Sequence, residues 1–177
     1  MRFNPDIHHR RSIRLRHHDY SQSGVYFVTL CTKNRESLFG EISDGKIALS
    51  LVGDMILQQW HDLPNRFPEI KLDTFVIMPN HIHGIICIKP VGALFVAPNS
   101  NDVIYQDAAL NQIIRAFKSI TAIAGNRLLD KTGQPFWQRN YWERIILDQT
   151  ELENTREYIN NNTAQWELDS LNTAPNP

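Results

Sequence analysis

The sequence predicts an α+β domain: an antiparallel sheet of the split βαβ kind, with two helices on one face and a third, tyrosine-bearing helix appended at the C-terminal end. Three observations carry this. Apolar patterning switches between period two and period 3.6 in the order strand–helix–strand–strand–helix–strand. Pro79-Asn80 separates two strand-like runs and marks a tight turn. Residues 107–129 place Leu110, Ile113, Ile114, Phe117, Ile120 and Ile123 on one face, the cleanest amphipathic helix of the chain. That order of elements is the ferredoxin-like one.

Residues 24–32 (GVYFVTLCT) are β-branched and aromatic, hence a first strand. From 47 to 63 the residues Leu49, Val52, Ile56, Trp60 and Leu63 recur at helical spacing, and Pro64 closes the element. A second strand over 71–78 (KLDTFVIM) turns at Pro79-Asn80 into a third over 81–89 (HIHGIICIK), its hairpin partner. Residues 90–106 lack periodicity and read as a surface loop. The amphipathic helix follows, then a fourth strand over 136–147 (FWQRNYWERIIL). A third helix over 150–162 opens on the capping-box pattern Thr150-x-x-Glu153 and either crosses the other face of the sheet or packs at an edge. The chain divides into a basic arm (1–22), a folded domain (23–166) and a frayed tail (167–177).

At 177 residues the chain suits one domain, and 42% apolar with 21% charged residues is ordinary for a globular protein. No apolar run approaches the ~20 residues needed to span a bilayer, and the N-terminal residues are Arg and His where a secretory signal needs an apolar core, so a cytoplasmic location is expected. Cys31 and Cys87 sit in apolar runs and read as reduced, buried thiols. A net charge of −1 argues against indiscriminate coating of nucleic acid. The charge is uneven: Arg2, Arg10, Arg11, Arg14 and Arg16 crowd the first twenty residues, while the segment after Tyr141 is mainly acidic. A basic arm on a neutral body suits local phosphate contact.

His81 and His83 stand two apart on a strand, so both imidazoles leave the same face roughly 6–7 Å apart and can converge on one metal ion. An H-x-H pair standing alone more often caps a strand end. The third helix adds company. With Leu152, Thr155, Ile159 and Trp166 as its buried stripe, Tyr158 and Asn162 are an i, i+4 pair on one flank of that stripe, at the boundary between core and cleft.

Residues 10–40 (RRSIRLRHHDYSQSGVYFVTLCTKNRESLFG), 75–86 (FVIMPNHIHGII) and 136–162 (FWQRNYWERIILDQTELENTREYINNN), in that order and spacing, resemble the single-tyrosine HUH transposases, in particular the REP-associated tyrosine transposase group. The resemblance implies that His81 and His83 bind a divalent metal, Mg2+ or Mn2+, that Tyr158 is the nucleophile, and that Asn162 is a third ligand. It implies cleavage of single-stranded DNA beside hairpins such as palindromic repeats, leaving a 5′-phosphotyrosine and a free 3′-hydroxyl, by a monomer or homodimer. Two imidazoles and an amide carry no negative charge, so metal binding is expected to be incomplete until a DNA phosphate arrives. Two positions depart from the family pattern: Thr163 follows Asn162 where proline is usual, and Arg144 follows Glu143 where histidine is common.

Arg14, Arg16, Lys33 and Arg35 are candidate phosphate contacts. Tyr141 is a candidate stacking platform for an unpaired base, although packing is the commoner role of such a ring. Arg115 and Lys118 read as a solvated helix face. Two other chemistries fit the same residues: a hydrolase using water on the histidines, which leaves no adduct, and a hairpin-binding protein without turnover.

Overall fold

The computed structural model describes residues 23–89 and 110–172. The basic arm with Arg14 and Arg16, the predicted loop at 90–106 and residues 173–177 lie outside the described residues. In chain order the elements are β1 (Gly24–Cys31), a 3-10 turn (Lys33–Arg35), β2 (Gly40–Ser43), β3 (Lys46–Leu49), α1 (Leu51–His61), α2 (Leu63–Arg66), β4 (Ile70–Met78), β5 (His81–Ile88), α3 (Leu110–Leu128), β6 (Trp142–Ile146), α4 (Gln149–Asn161) and a second 3-10 turn (Thr163–Leu168).

The main sheet runs β4-β5-β1-β6 with every neighbour antiparallel, which is the predicted α+β arrangement. β4 and β5 form the expected hairpin, Met78 opposite His81 across the Pro79-Asn80 turn. Side chains alternate along each strand, so the sheet has two different faces. On one, Tyr26, Val28 and Leu30 of β1 and Ile82 and Ile86 of β5 pack with Trp60 of α1 and Phe117 of α3. On the other, Phe27, Ile85 and Ile146 pack against Ile159 of α4, flanked by Leu152. α4 therefore lies across the second face, the one to which His81 and His83 belong by alternation.

Several elements differ from the sequence reading, each for a physical reason. β2 and β3 are an additional hairpin; Asp44 and Gly45 both take positive φ (52° and 71°), as a two-residue I′ turn requires. The helix expected from 47 starts later because the Ser50 side chain caps it, accepting from Gly53 N at 3.1 Å. The fourth strand is shorter than 136–147: only Trp137 bridges to Thr32 before β6 begins at Trp142. Ile123 of the predicted stripe is exposed, while Thr121 and Gly125 are buried against Trp137 and Phe136 and the buried Asn126 donates to the Gln134 carbonyl. α4 is capped by Asp148, which accepts from Glu151 N at 2.8 Å, rather than by Thr150. Residues 167–172, expected to fray, instead fold back: Asn80 Nδ2 donates to the Leu171 carbonyl at 2.8 Å and Arg35 Nη1 to the Ser170 carbonyl at 3.1 Å.

Candidate active site

His81 and His83 are both buried on β5, their Nε2 atoms 3.1 Å apart. Each ring is held from behind. Asn80 donates through Nδ2 to the carbonyls of Arg35 (3.3 Å) and Leu171 (2.8 Å), which turns its Oδ1 toward His81 Nδ1 at 2.7 Å. His81 Nδ1 is then the donor and its Nε2 carries the lone pair. His83 Nδ1 pairs with Thr29 Oγ1 at 2.8 Å, directly across β1 in register. Burial pushes the His81 pKa down to about 2, with His83 and Arg35 adding to the shift, and burial alone pushes His83 down to about 4. Both rings are neutral at physiological pH, the state in which imidazole ligates metals.

Asp169 completes a cluster. Its Oδ2 is 3.6 Å from His81 Nε2, and the ligand atoms of His81, His83 and Asp169 all lie within 4.8 Å of one another. Two nitrogens about 2.1 Å from one ion lie roughly 3 Å apart when they take neighbouring octahedral positions, which matches the separation of the two Nε2 atoms. Asn162 is only 4% exposed, and its Oδ1 is a buried acceptor without a hydrogen-bond partner. The donor set fits a divalent cation. Asp169 adds a carboxylate to the donors expected from the sequence.

Tyr158 projects from α4 over this cluster. Its hydroxyl is 3.3 Å from His83 Nε2, and its ring stands edge-on to His83 (5.3 Å between centroids) and to Phe27 (6.0 Å). Tyrosine and histidines meet within one subunit. Burial raises the hydroxyl pKa above its ordinary value; the Asn162 amide beside it pulls the other way, and Asp169 raises it further. The position of α4 is secured two residues earlier, where Arg156 makes a two-point contact with Asp73 of β4 (Nε to Oδ1 2.9 Å, Nη2 to Oδ2 2.6 Å). Arg144 reaches Glu151 Oε1 at 3.0 Å and Thr155 Oγ1 at 3.1 Å, tying β6 to α4.

A cavity of about 610 Å³ opens beside the cluster, lined among others by Phe27, His83, Tyr158, Trp142 and Leu171. Tyr141 lines it and also packs against the main core. Lys118 is not a solvated charge: its Nζ donates to the carbonyls of Gln138 (2.6 Å), Arg139 (3.2 Å) and Asn140 (3.4 Å), the stretch that does not ladder into a strand. Arg35 lies near the cluster and binds the tail, whereas Lys33 is exposed on the turn after β1. The structure brings His81, His83 and Tyr158 together, with Asn162 beside Tyr158, and it adds Asn80, Thr29 and Asp169, which sequence reasoning missed. Asn80 was hidden behind its role as a turn residue. Asp169 had no local signal, being one acid in an aperiodic tail.

By fold the protein is transposase-like. Its backbone superposes on a REP-associated tyrosine transposase bound to a REP hairpin with a TM-score of 0.53 at 16% identity, over 87% of this chain and 74% of the other. A candidate transposase from Deinococcus radiodurans R1 gives 0.48 at 15% identity, over 84% and 95%. No family model matches the chain. In sequence it is 40% identical over 179 residues to an uncharacterized protein of Haemophilus influenzae Rd, covering 96% of this chain and 97% of that one. The chain belongs to the family of that Haemophilus protein. Among the described residues no helix is long and apolar enough to cross a membrane.

Proposed function

We propose that the chain is a metal-dependent, single-tyrosine strand transferase of the REP-associated tyrosine transposase group, cutting and rejoining single-stranded DNA beside hairpins of palindromic repeats. The Tyr158 oxygen attacks the phosphorus and loses its proton. The bond from phosphorus to the 3′-oxygen breaks, and that oxygen leaves as a 3′-hydroxyl. The phosphate stays on tyrosine as a 5′-phosphotyrosine until another 3′-hydroxyl reverses the step. Tyrosine suits this reversibility, because the phenol, with a pKa of ~10, is also a competent leaving group.

His81, His83 and Asp169 would hold the Mg2+ or Mn2+, with the unpartnered Asn162 Oδ1 as a further ligand. The ion would draw charge from a non-bridging phosphate oxygen. Imidazole nitrogens beside carboxylate and amide oxygens favour Mn2+ over Mg2+. Lys33 and Arg35, together with Arg14 and Arg16 of the arm, would meet backbone phosphates, and Tyr141 a base; the site of action is the cytoplasm, on the nucleoid. The active form would be a monomer or a homodimer, with Tyr158 and both histidines meeting within one subunit.

The observation that carries this reading is the Tyr158 hydroxyl 3.3 Å from His83 Nε2, which itself faces His81 Nε2 at 3.1 Å. The test is a denaturing gel of the protein incubated with labelled hairpin DNA bearing a single-stranded foot, in manganese. Wild type forms a covalent protein–DNA band and Tyr158→Phe forms none while still binding the hairpin. Cleaved DNA without an adduct would replace strand transfer by hydrolysis with water; an adduct in Tyr158→Phe would assign another nucleophile.

A further inference from the structure

We infer that the cavity beside the metal cluster is a receptor for one unpaired nucleobase, that of a nucleotide adjoining the scissile phosphate. The inference rests on the strand-transfer reading for its position but not for its physics. Phe27 forms the floor. Trp142 of β6 stands edge-on to it (5.3 Å, 73°), and Tyr158 of α4 stands edge-on to it as well (6.0 Å, 90°), so two aromatic walls rise from one ring. Along the sheet, Trp142 lies on the β6 side of β1 and His83 on the β5 side, both opposite Thr29, and all three line the cavity. A lining of this kind, with a volume of about 610 Å³, does not suit a phosphate; it suits a flat, uncharged, polarisable ring.

The rim supplies what a base edge needs. Gln138 and Asn140 line the same cavity, and among the described residues their side-chain amides have no hydrogen-bond partner. Their backbone is immobilised: Lys118 Nζ binds the carbonyls of residues 138, 139 and 140, and Gln138 N donates to the Cys31 carbonyl at 2.9 Å. The amides are thus presented on a fixed stretch of chain, as readout of an unpaired base requires. Because Tyr158 and His83 belong both to this cavity and to the reacting cluster, a base seated here would set which phosphate faces the nucleophile. Trp142 would then be a binding residue that chooses the cleavage position.

The test is a binding titration without metal, which keeps it separate from the chemistry. Hairpin oligonucleotides with a single-stranded foot carry an abasic site at each foot position in turn, and affinity is read by fluorescence anisotropy. One position is expected to lose about 5- to 150-fold in affinity when its base is removed, the worth of one stacked base. In Trp142→Ala that position loses its effect, whereas Trp142→Phe keeps most of it; circular dichroism checks that both variants are folded. A flat abasic scan in wild type, or an abasic penalty equally large in Trp142→Ala, overturns the inference. An abasic signature in a protein that forms no adduct would refute strand transfer and leave the pocket standing, and an adduct with a flat scan would do the reverse.

Discussion

Gly84 follows directly after His83, and the structure gives a reason that concerns packing rather than catalysis. A Cβ at this position would lie 2.4 Å from Trp60 Cζ2, 2.7 Å from Cη2 and 3.0 Å from Phe75 Cδ2. Trp60 has nowhere to go: it is fully buried, stacked on Phe75 at 4.4 Å and 13°, and met edge-on by Phe117 at 5.6 Å. Carbon atoms pack at about 3.5–4.0 Å, so Gly84→Ala forces an opening of roughly 1 Å between β5 and α1. Overpacking of this size costs about 1–3 kcal/mol. At about 2–4 °C per kcal/mol for a chain of this length, the melting midpoint should fall by about 2–12 °C. Because β5 carries His83, adduct formation at 25 °C should fall as well, although the protein remains folded. A double-mutant cycle identifies the cause. Cζ2 and Cη2 belong to the part of the indole that phenylalanine lacks, so in Trp60→Phe the new methyl enters vacated space. Gly84→Ala should therefore cost little or nothing in that background, where additivity would predict the full amount. An unchanged midpoint for Gly84→Ala, or strictly additive effects, would refute the argument.

Three further variants test the site. In Asp73→Asn the two-point contact with Arg156 is lost, and adduct formation should slow several-fold with manganese affinity unchanged; an unaffected rate would make the pair a structural contact only. The Arg156 guanidinium holds the Asp73 carboxyl well below the usual range, so its contribution to stability is present above the unfolded pKa of ~4 and is lost as pH falls below it. The difference in melting midpoint between wild type and Asp73→Asn should accordingly be full at neutral pH and close on acidification below about 4. Asn80→Ala leaves all proposed ligands in place but frees the His81 ring and the tail carbonyl, so manganese affinity measured calorimetrically should drop about 10–100-fold. Asp169→Asn, which removes the one formal charge of the cluster, should lower it further; equal affinity in Asp169→Asn and wild type would take Asp169 out of the ligand set.

What was legible in the sequence was what repeats locally. Alternation at 81–83 needs only a strand, and the Pro79-Asn80 turn sets where that strand begins, so two convergent imidazoles could be read without knowing any neighbour. Tyr158 and Asn162 likewise follow from helical spacing beside Ile159. The β2–β3 hairpin carried its own signal in Asp44-Gly45, but Ile47 and Leu49 run on into the periodicity of Val52 and Ile56, and the helix pattern absorbed them. Lys118 falls on the polar side of an amphipathic helix and looks solvated until residues 138–140 leave the ladder and present three carbonyls to it. Asp169 is the sharpest case. It reaches His81 because Asn80 and Arg35 hold the carbonyls of Leu171 and Ser170, contacts that span 91 and 135 residues and leave no periodic trace. The same hydrogen bonds that orient His81 therefore also deliver the carboxylate, through the single side chain of Asn80. A residue read as half of a turn thus sets both the tautomer of one proposed ligand and the arrival of another, which is why its loss should be felt in metal affinity before it is felt in the fold.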